Sequence, residues 1–306
     1  MDNNNFLNES IERADFFRRI QAWPLNDVLN YKGWLNNFST LEEKAIASVI
    51  LKFFTFYPDA MINQMLKATI GYCGKYLAVR FSDWQHDDFK KRCIYSFIPG
   101  ETINPTDSGH IYVRKLRESL GIPQKQIVDY PSLYSYLESS HTATPIIFVD
   151  DFVGSGEQCD TAWNKNRGGS GQHTLSEIAS KTNHMFIYSP LIANHVGYNR
   201  IKQECKGLQL VTCHILNDEY NLFDPSCICW NNDNELYSKG IGLILDKSRE
   251  QNIPFTRGMN DVDVRGFCEQ GLALSFANGG VPDAIPAFFY WCSDTWAPLI
   301  KKEYKR

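Results

Sequence analysis

The chain has 306 residues, 43% hydrophobic and 22% charged, which is ordinary for a globular protein able to bury a substantial core. A formal net charge of −4 argues against a broad footprint on a nucleic-acid backbone, which normally needs a basic excess. No apolar run approaches the ~20 residues of a membrane helix, and the opening Met1-Asp2-Asn3-Asn4-Asn5 lacks the basic-then-apolar pattern of a secretory signal, so a cytoplasmic location is expected.

Up to about residue 90 the pattern is helical. Ser10 is a candidate cap for a helix through Ile20, and Ser39 with Glu42 reads as a capping box. Leu41, Ala45, Ile46, Val49, Ile50 and Phe53 then share one helical face. Pro58-Asp59 opens a further helix through Met61, Met65, Leu66 and Ile70, whose Met and aromatic stripes read as core.

From residue 91 strands alternate with helices. Residues 93–98 read as a strand, 99–110 as a polar loop, and 111–117 as the start of a helix ending at Gly121. Strand-like runs follow at 126–128, 146–153, 185–192, 208–216 and 271–276, with a helix at 195–205. Residues 164–181, containing Gly168-Gly169-Ser170-Gly171, read as a loop. This alternation predicts an α/β fold with a doubly wound, mostly parallel sheet. The expected division is a helical N-terminal region, 1–90, and an α/β domain, 91–306.

Nine cysteines without a framework suggest reduced thiols. Cys227-Ile228-Cys229, near Cys213-His214, is spaced too tightly for a usual zinc site. Cys159 lies near a helix N-terminus, where its thiol pKa could fall, but a packed cysteine is the plainer reading.

The most informative segment is 146–156. An apolar run of strand length ends in Asp150-Asp151, then Phe152-Val153, the small-residue turn Gly154-Ser155-Gly156, and a helix opening at Glu157-Gln158-Cys159. Carboxylates at the carboxyl end of a buried strand stand where open α/β sheets bind ligands. A turn entering a helix N-terminus gathers backbone N–H groups into an anion cradle. Acids beside an anion cradle suit a ligand with hydroxyls and a phosphate. The plainer alternative is that both aspartates simply cap the following turn and helix.

This segment resembles the ribose-phosphate motif of type I phosphoribosyltransferases. Further along, Ala277-Asn278-Gly279-Gly280-Val281-Pro282 leading to Trp291 and Trp296-Ala297-Pro298-Leu299 is similar to the C-terminal signature of the PRTase-CE family, and Trp34-Leu35 with Phe38 resembles that family's helical lead-in. The likeness covers most of the chain. It implies a phosphoribosyltransferase-like effector of bacterial anti-phage defence, acting on phosphoribosyl pyrophosphate or another ribose phosphate as a glycosyltransferase or nucleotide glycohydrolase. A catalytically silent ribose-phosphate sensor, or a partner-binding module, is the alternative.

By the same resemblance, Asp150 and Asp151 hold the ribose 2′- and 3′-hydroxyls, and backbone amides of Val153, Gly154, Ser155, Gly156, Glu157 and Gln158 hold the 5-phosphate. Ser108, Gly109, His110 and Arg114, after Asp107, stand at the pyrophosphate loop. Mg²⁺ bridges through the substrate without a direct protein ligand. One departure is Gln158, where the family usually has Thr or Ser. Implied partners are a reverse transcriptase with its RNA–DNA product or a winged-helix protein; whether the chain also forms a homo-oligomer is left open by the sequence.

Overall fold

The computed structural model describes residues 3–25, 27–100, 108–140, 142–278 and 280–302. The chain begins with α1 (Asn3–Arg19), α2 (Tyr31–Leu35), α3 (Leu41–Phe53), β1 (Thr55–Tyr57) and the long α4 (Asp59–Arg80). Then come β2 (Ile94–Ser96), α5 (Ser108–Leu120), α6 (Tyr130–Ser139), β3 (Pro145–Val153) and α7 (Glu157–Asn164). A short hairpin, β4 (Arg167–Gly168) and β5 (His173–Thr174), precedes α8 (Leu175–Lys181), β6 (Met185–Asn194), α9 (His195–Glu204), β7 (Leu208–Leu210) and β8 (His214–Leu216). The last elements are α10 (Asn234–Glu250) and β9 (Leu274–Phe276). The fold is therefore mixed α/β with a helical N-terminal region, and no described helix is long and apolar enough to cross a membrane.

Contacts group the chain into two compact units that do not coincide with a boundary near residue 90. One joins Met1–Asp59 to Asn217–Arg306, and the other is Ala60–Leu216.

In the first unit, aromatic packing between distant segments forms the core. Trp34, Phe38, Phe288, Phe289 and Trp296 are all buried, and Trp34 meets Phe288 edge-on at 5.3 Å. β1 pairs in parallel with β9. The entry to α3 is fixed by Thr40, not Ser39: Thr40 Oγ1 accepts from Glu43 N at 3.1 Å while Glu43 accepts from the Ser39 and Thr40 amides. The Ser39–Glu42 pair has the right spacing but stands one residue early. Ser10 is not a cap either; it lies inside α1 and its hydroxyl donates to the Phe6 carbonyl.

The second unit contains the sheet. Its order is β2-β3-β6-β7, with β8 also on β6, and every pairing is parallel. Both central strands, β3 and β6, are buried nearly throughout, as expected when helices cover both faces. Ile146, Phe148, Phe186 and Tyr188 share one core with Tyr130 and Leu133 of α6 and with Trp163 of α7. The alternate residues meet α4, where Cys73 Sγ donates to Ser189 Oγ at 3.5 Å. Residues 208–216 are two short strands rather than one, and 126–128 contributes only a bridge between Ile127 and Tyr95. The expected loop at 164–181 is instead the β4–β5 hairpin followed by α8, which Thr174 and Glu177 cap reciprocally.

Candidate functional site

The acid pair stands at the carboxyl end of the central strand β3, where Asp150 pairs with Pro190 and Phe152 with Ile192 across to β6. Strand alternation puts Asp150 on the face of Phe148 and Tyr188, and the Tyr188 hydroxyl donates to Asp150 Oδ2 at 2.7 Å. The Asp151 amide donates to Asp150 Oδ1 at 3.0 Å, and the Phe152 amide to Asp151 Oδ1 at 2.8 Å. Both side chains are nearly withdrawn from solvent, at 4% exposure for Asp150 and 8% for Asp151.

Burial dictates the charge state of the pair. It pushes the Asp151 carboxyl well above its usual range, and the neighbouring Asp150 charge and a hydrogen bond with Asp150 push the same way. Two buried carboxyls in contact cannot both ionise cheaply, so the pair keeps a proton. The Tyr188 phenol is raised too, by burial first and then by Asp150. The result is a carboxyl whose protonated form is favoured, beside a second carboxyl that accepts from a phenol: a pair able both to donate to and accept from a diol.

Beyond the acids the chain turns through Gly154, Ser155 and Gly156. Gly156 has φ +76° and forms the N-cap of α7, a left-handed geometry that suits glycine. The turn lies directly on α9. A Cβ on Gly197 would sit 2.3 Å from the Gly154 carbonyl oxygen and 2.9 Å from the Gly156 nitrogen. Asn194 caps α9 through the Val196 amide at 2.9 Å and so fixes Gly197 one residue on.

The remaining expected phosphate ligands are partly engaged. The Glu157 amide donates to Ser155 Oγ at a long 3.3 Å, and the Glu157 carboxylate lies 4.0 Å from Arg200. Gln158 Nε2 donates to the Ile98 carbonyl at 3.2 Å, tying α7 to the chain just after β2. Val153 is buried in the core beneath the turn.

The candidate pyrophosphate residues open α5, while Asp107 lies outside the described residues. Gly109 packs so closely on Phe97 that a Cβ would lie 2.5 Å from it, and the His110 ring sits 4.3 Å from the Phe97 ring. α5 begins at Ser108. Arg114 is on the surface, paired with Glu118 at 2.7 Å. These residues share the first turns of one helix.

Two concavities beside α1, of about 10 and 250 Å³, are lined by residues such as Trp23 and Leu51, and by Glu12, Asp15, Arg18 and Arg19; neither includes a residue of the acid motif. Among the described residues, no cluster of three or more His, Cys, Asp or Glu could hold a metal. Cys227 and Cys229 are buried thiols, Cys227 pushed up to about 12 by burial. Cys159 is likewise buried and raised, as suits a packed thiol and not a nucleophile. The carboxyl oxygens of Asp150 and Asp151 are hard donors of the kind Mg²⁺ accepts, so the pair is compatible with a Mg²⁺ ion brought in on a substrate.

Tyr188 and Gly197 are the members that sequence reasoning missed. Tyr188 is one of two phenol-or-hydroxyl residues in the run 185–192, and Gly197 follows an Asn helix cap, so each carries a local signal without a stated partner.

The family model PRTase-CE matches residues 31–302, most of the chain. No curated protein and no solved structure matches it.

Proposed function

We propose that this chain, which belongs to the PRTase-CE family, uses its phosphoribosyltransferase-like domain to bind phosphoribosyl pyrophosphate or a related ribose phosphate, as the effector of a bacterial anti-phage system. The observation that supports this most is the acid pair at the end of central parallel strand β3, followed directly by the Gly154–Gly156 turn into α7.

In this reading Asp150 and Asp151 take the ribose 2′- and 3′-hydroxyls, and the turn amides take the terminal phosphate. Because both acids are nearly buried, a diol reaches them by replacing the Tyr188 hydroxyl on Asp150. As the bond at the anomeric carbon breaks, positive charge grows beside the pair and favours its ionised form. A preorganised charge of this kind is worth about 3–4 kcal/mol per group. Asp150 and Asp151 would be the residues nearest a Mg²⁺ ion arriving with the substrate, which would supply neutralisation of the leaving group. No protein nucleophile is required. The partner in this reading is a ribonucleoprotein such as a reverse transcriptase with its RNA–DNA product, in a cytoplasmic setting.

The second reading is a ribose-phosphate sensor without turnover. It is favoured by the Tyr188–Asp150 bond and by Gln158, whose amide is spent on Ile98 where the family usually offers a hydroxyl. Calorimetry with phosphoribosyl pyrophosphate and Mg²⁺, beside a product assay, separates the two. Binding with turnover, both lost in Asp150→Asn/Asp151→Asn, supports the enzyme; binding without product supports the sensor. No binding to the folded wild-type protein rejects both.

A further inference from the structure

α4 is apolar on two sides. Ile62, Leu66, Ile70, Cys73 and Leu77 are buried, and this side is keyed to the sheet region through Cys73–Ser189 and through Thr69 Oγ1, 3.0 Å from Cys213 Sγ. The other side displays Met61, Tyr72, Tyr76 and Val79, exposed by 49%, 44%, 40% and 88%, together with exposed Ala68. At about 100° per residue these five fall within an arc of roughly 80°, and at ~1.5 Å per residue they span about 27 Å. An apolar stripe of this length beside a polar sector is the pattern of a helix that packs on something.

Charge distinguishes what would cover it. Lys75 lies about 20° beyond one edge of the stripe, with Lys67 roughly 80° further round, and Arg80 lies about 40° beyond the other edge; all three are exposed, and none has a carboxylate partner among the described residues. Lys75 Nζ lies 5.3 Å from the Tyr72 ring centre. The one acid of α4 is Asp59, in its first turn, where it accepts from Asn278. The stripe is thus locally cationic on a chain whose net charge is −4.

We propose that the outward stripe of α4 is a docking surface for an acidic amphipathic helix of a partner protein. An apolar seam bordered by Lys75 on one side and Arg80 on the other matches a helix with apolar residues at i, i+4 and i+7 and Asp or Glu on either flank. A second copy of the chain would bring Lys75 and Arg80 toward the same two cations. A membrane-surface helix would be expected to offer Trp, Phe or Leu in place of two tyrosines and an alanine, and a nucleic acid would meet a chain of net negative charge. The surface is independent of whether the acid pair binds ribose phosphate.

The test uses the full chain carrying a photo-crosslinking residue at Tyr76, with Lys125, exposed on the same unit, as control. Crosslinks formed in cells of the native source are mapped by mass spectrometry, and the captured segment is synthesised as a peptide. The expected result is one acidic, helix-patterned protein segment, captured at Tyr76 and not at Lys125. Its affinity should fall at least tenfold in Val79→Glu and in Lys75→Glu/Arg80→Glu, and weaken as salt rises, with melting temperatures unchanged. Capture of a second copy, lipid or nucleic acid, capture of a segment without excess acid, equal capture at Lys125, or no capture overturns the proposal.

Discussion

Gly197→Ala tests the close approach on which the anion turn depends. The added methyl would lie 2.3 Å from the Gly154 carbonyl oxygen, 2.7 Å from Val153 Cγ1 and 2.9 Å from the Gly156 nitrogen. Two of these are backbone atoms of the turn, so no flexible side chain can yield, and either the turn or α9 must shift. Overpacking of this kind costs about 1–3 kcal/mol, a fall in melting temperature of about 2–12 °C at ~2–4 °C per kcal/mol. Gly197 lies in α9 without a left-handed φ, so alanine suits its backbone and the loss reports the clash. Gly71→Ala, on an open side of α4 with nothing within 4 Å, is the control; helix propensity should make it stabilising by about 0.5–1 kcal/mol. The assay is thermal melting of both variants, with calorimetry of ribose-phosphate binding. A Gly197→Ala protein that melts with the wild type and binds with wild-type affinity refutes the close-packed turn.

Asp151→Asn should stabilise the chain while abolishing ribose-phosphate binding. Below the ordinary carboxylate value of 3.8 both folded and unfolded states hold the proton; above it the unfolded state releases the proton while folded Asp151 keeps it. Wild-type stability therefore falls as pH rises from about that value toward the raised folded pKa, by at most about 1.4 kcal/mol per pH unit. Urea titrations between pH 4 and 7 should show the Asn variant gaining on the wild type as pH rises; a constant or shrinking gap contradicts the buried acid. Gln158→Thr removes the donor to the Ile98 carbonyl at a cost of about 1 kcal/mol and restores a hydroxyl at the turn. Phosphate-ligand affinity measured by calorimetry should rise, and a fall of tenfold or more would mean that Gln158 itself contacts the ligand.

Local pattern carried much of the fold and less of the site. The run 146–153 is a strand, Gly154–Gly156 is a turn and 157 starts a helix, because the apolar run, the acids and the glycines all act on their own neighbours. Register lies beyond such reasoning. That Tyr188 faces Asp150 follows from the parallel pairing of Phe148 with Tyr188, which no spacing within either segment specifies. The same limit hides the contact of Gly197 with Gly156. Thr40–Glu43 and Ser39–Glu42 satisfy the same capping spacing, so sequence cannot choose between them. α10 escaped because Gly240 and Gly242 break its helical pattern; Gly240 is there for Trp230, whose ring would lie 2.3 Å from a Cβ. The hairpin before α8 was masked by its own glycines, two of which lie against Tyr134 and Glu138.

The first unit is made from both extremities of the polypeptide, with Ala60–Leu216 inserted between them. During synthesis its opening helices leave the ribosome long before Phe288, Phe289 and Trp296 are translated. At about 5–20 residues per second the wait is roughly 12–50 seconds. Throughout that interval Trp34 and Phe38 lack Phe288, Phe289 and Trp296, whereas the inserted sheet has all its strands once residue 216 emerges. Nascent chains should therefore complete the unit that carries the acid pair first, and trimming either end should injure the same aromatic core of the other unit.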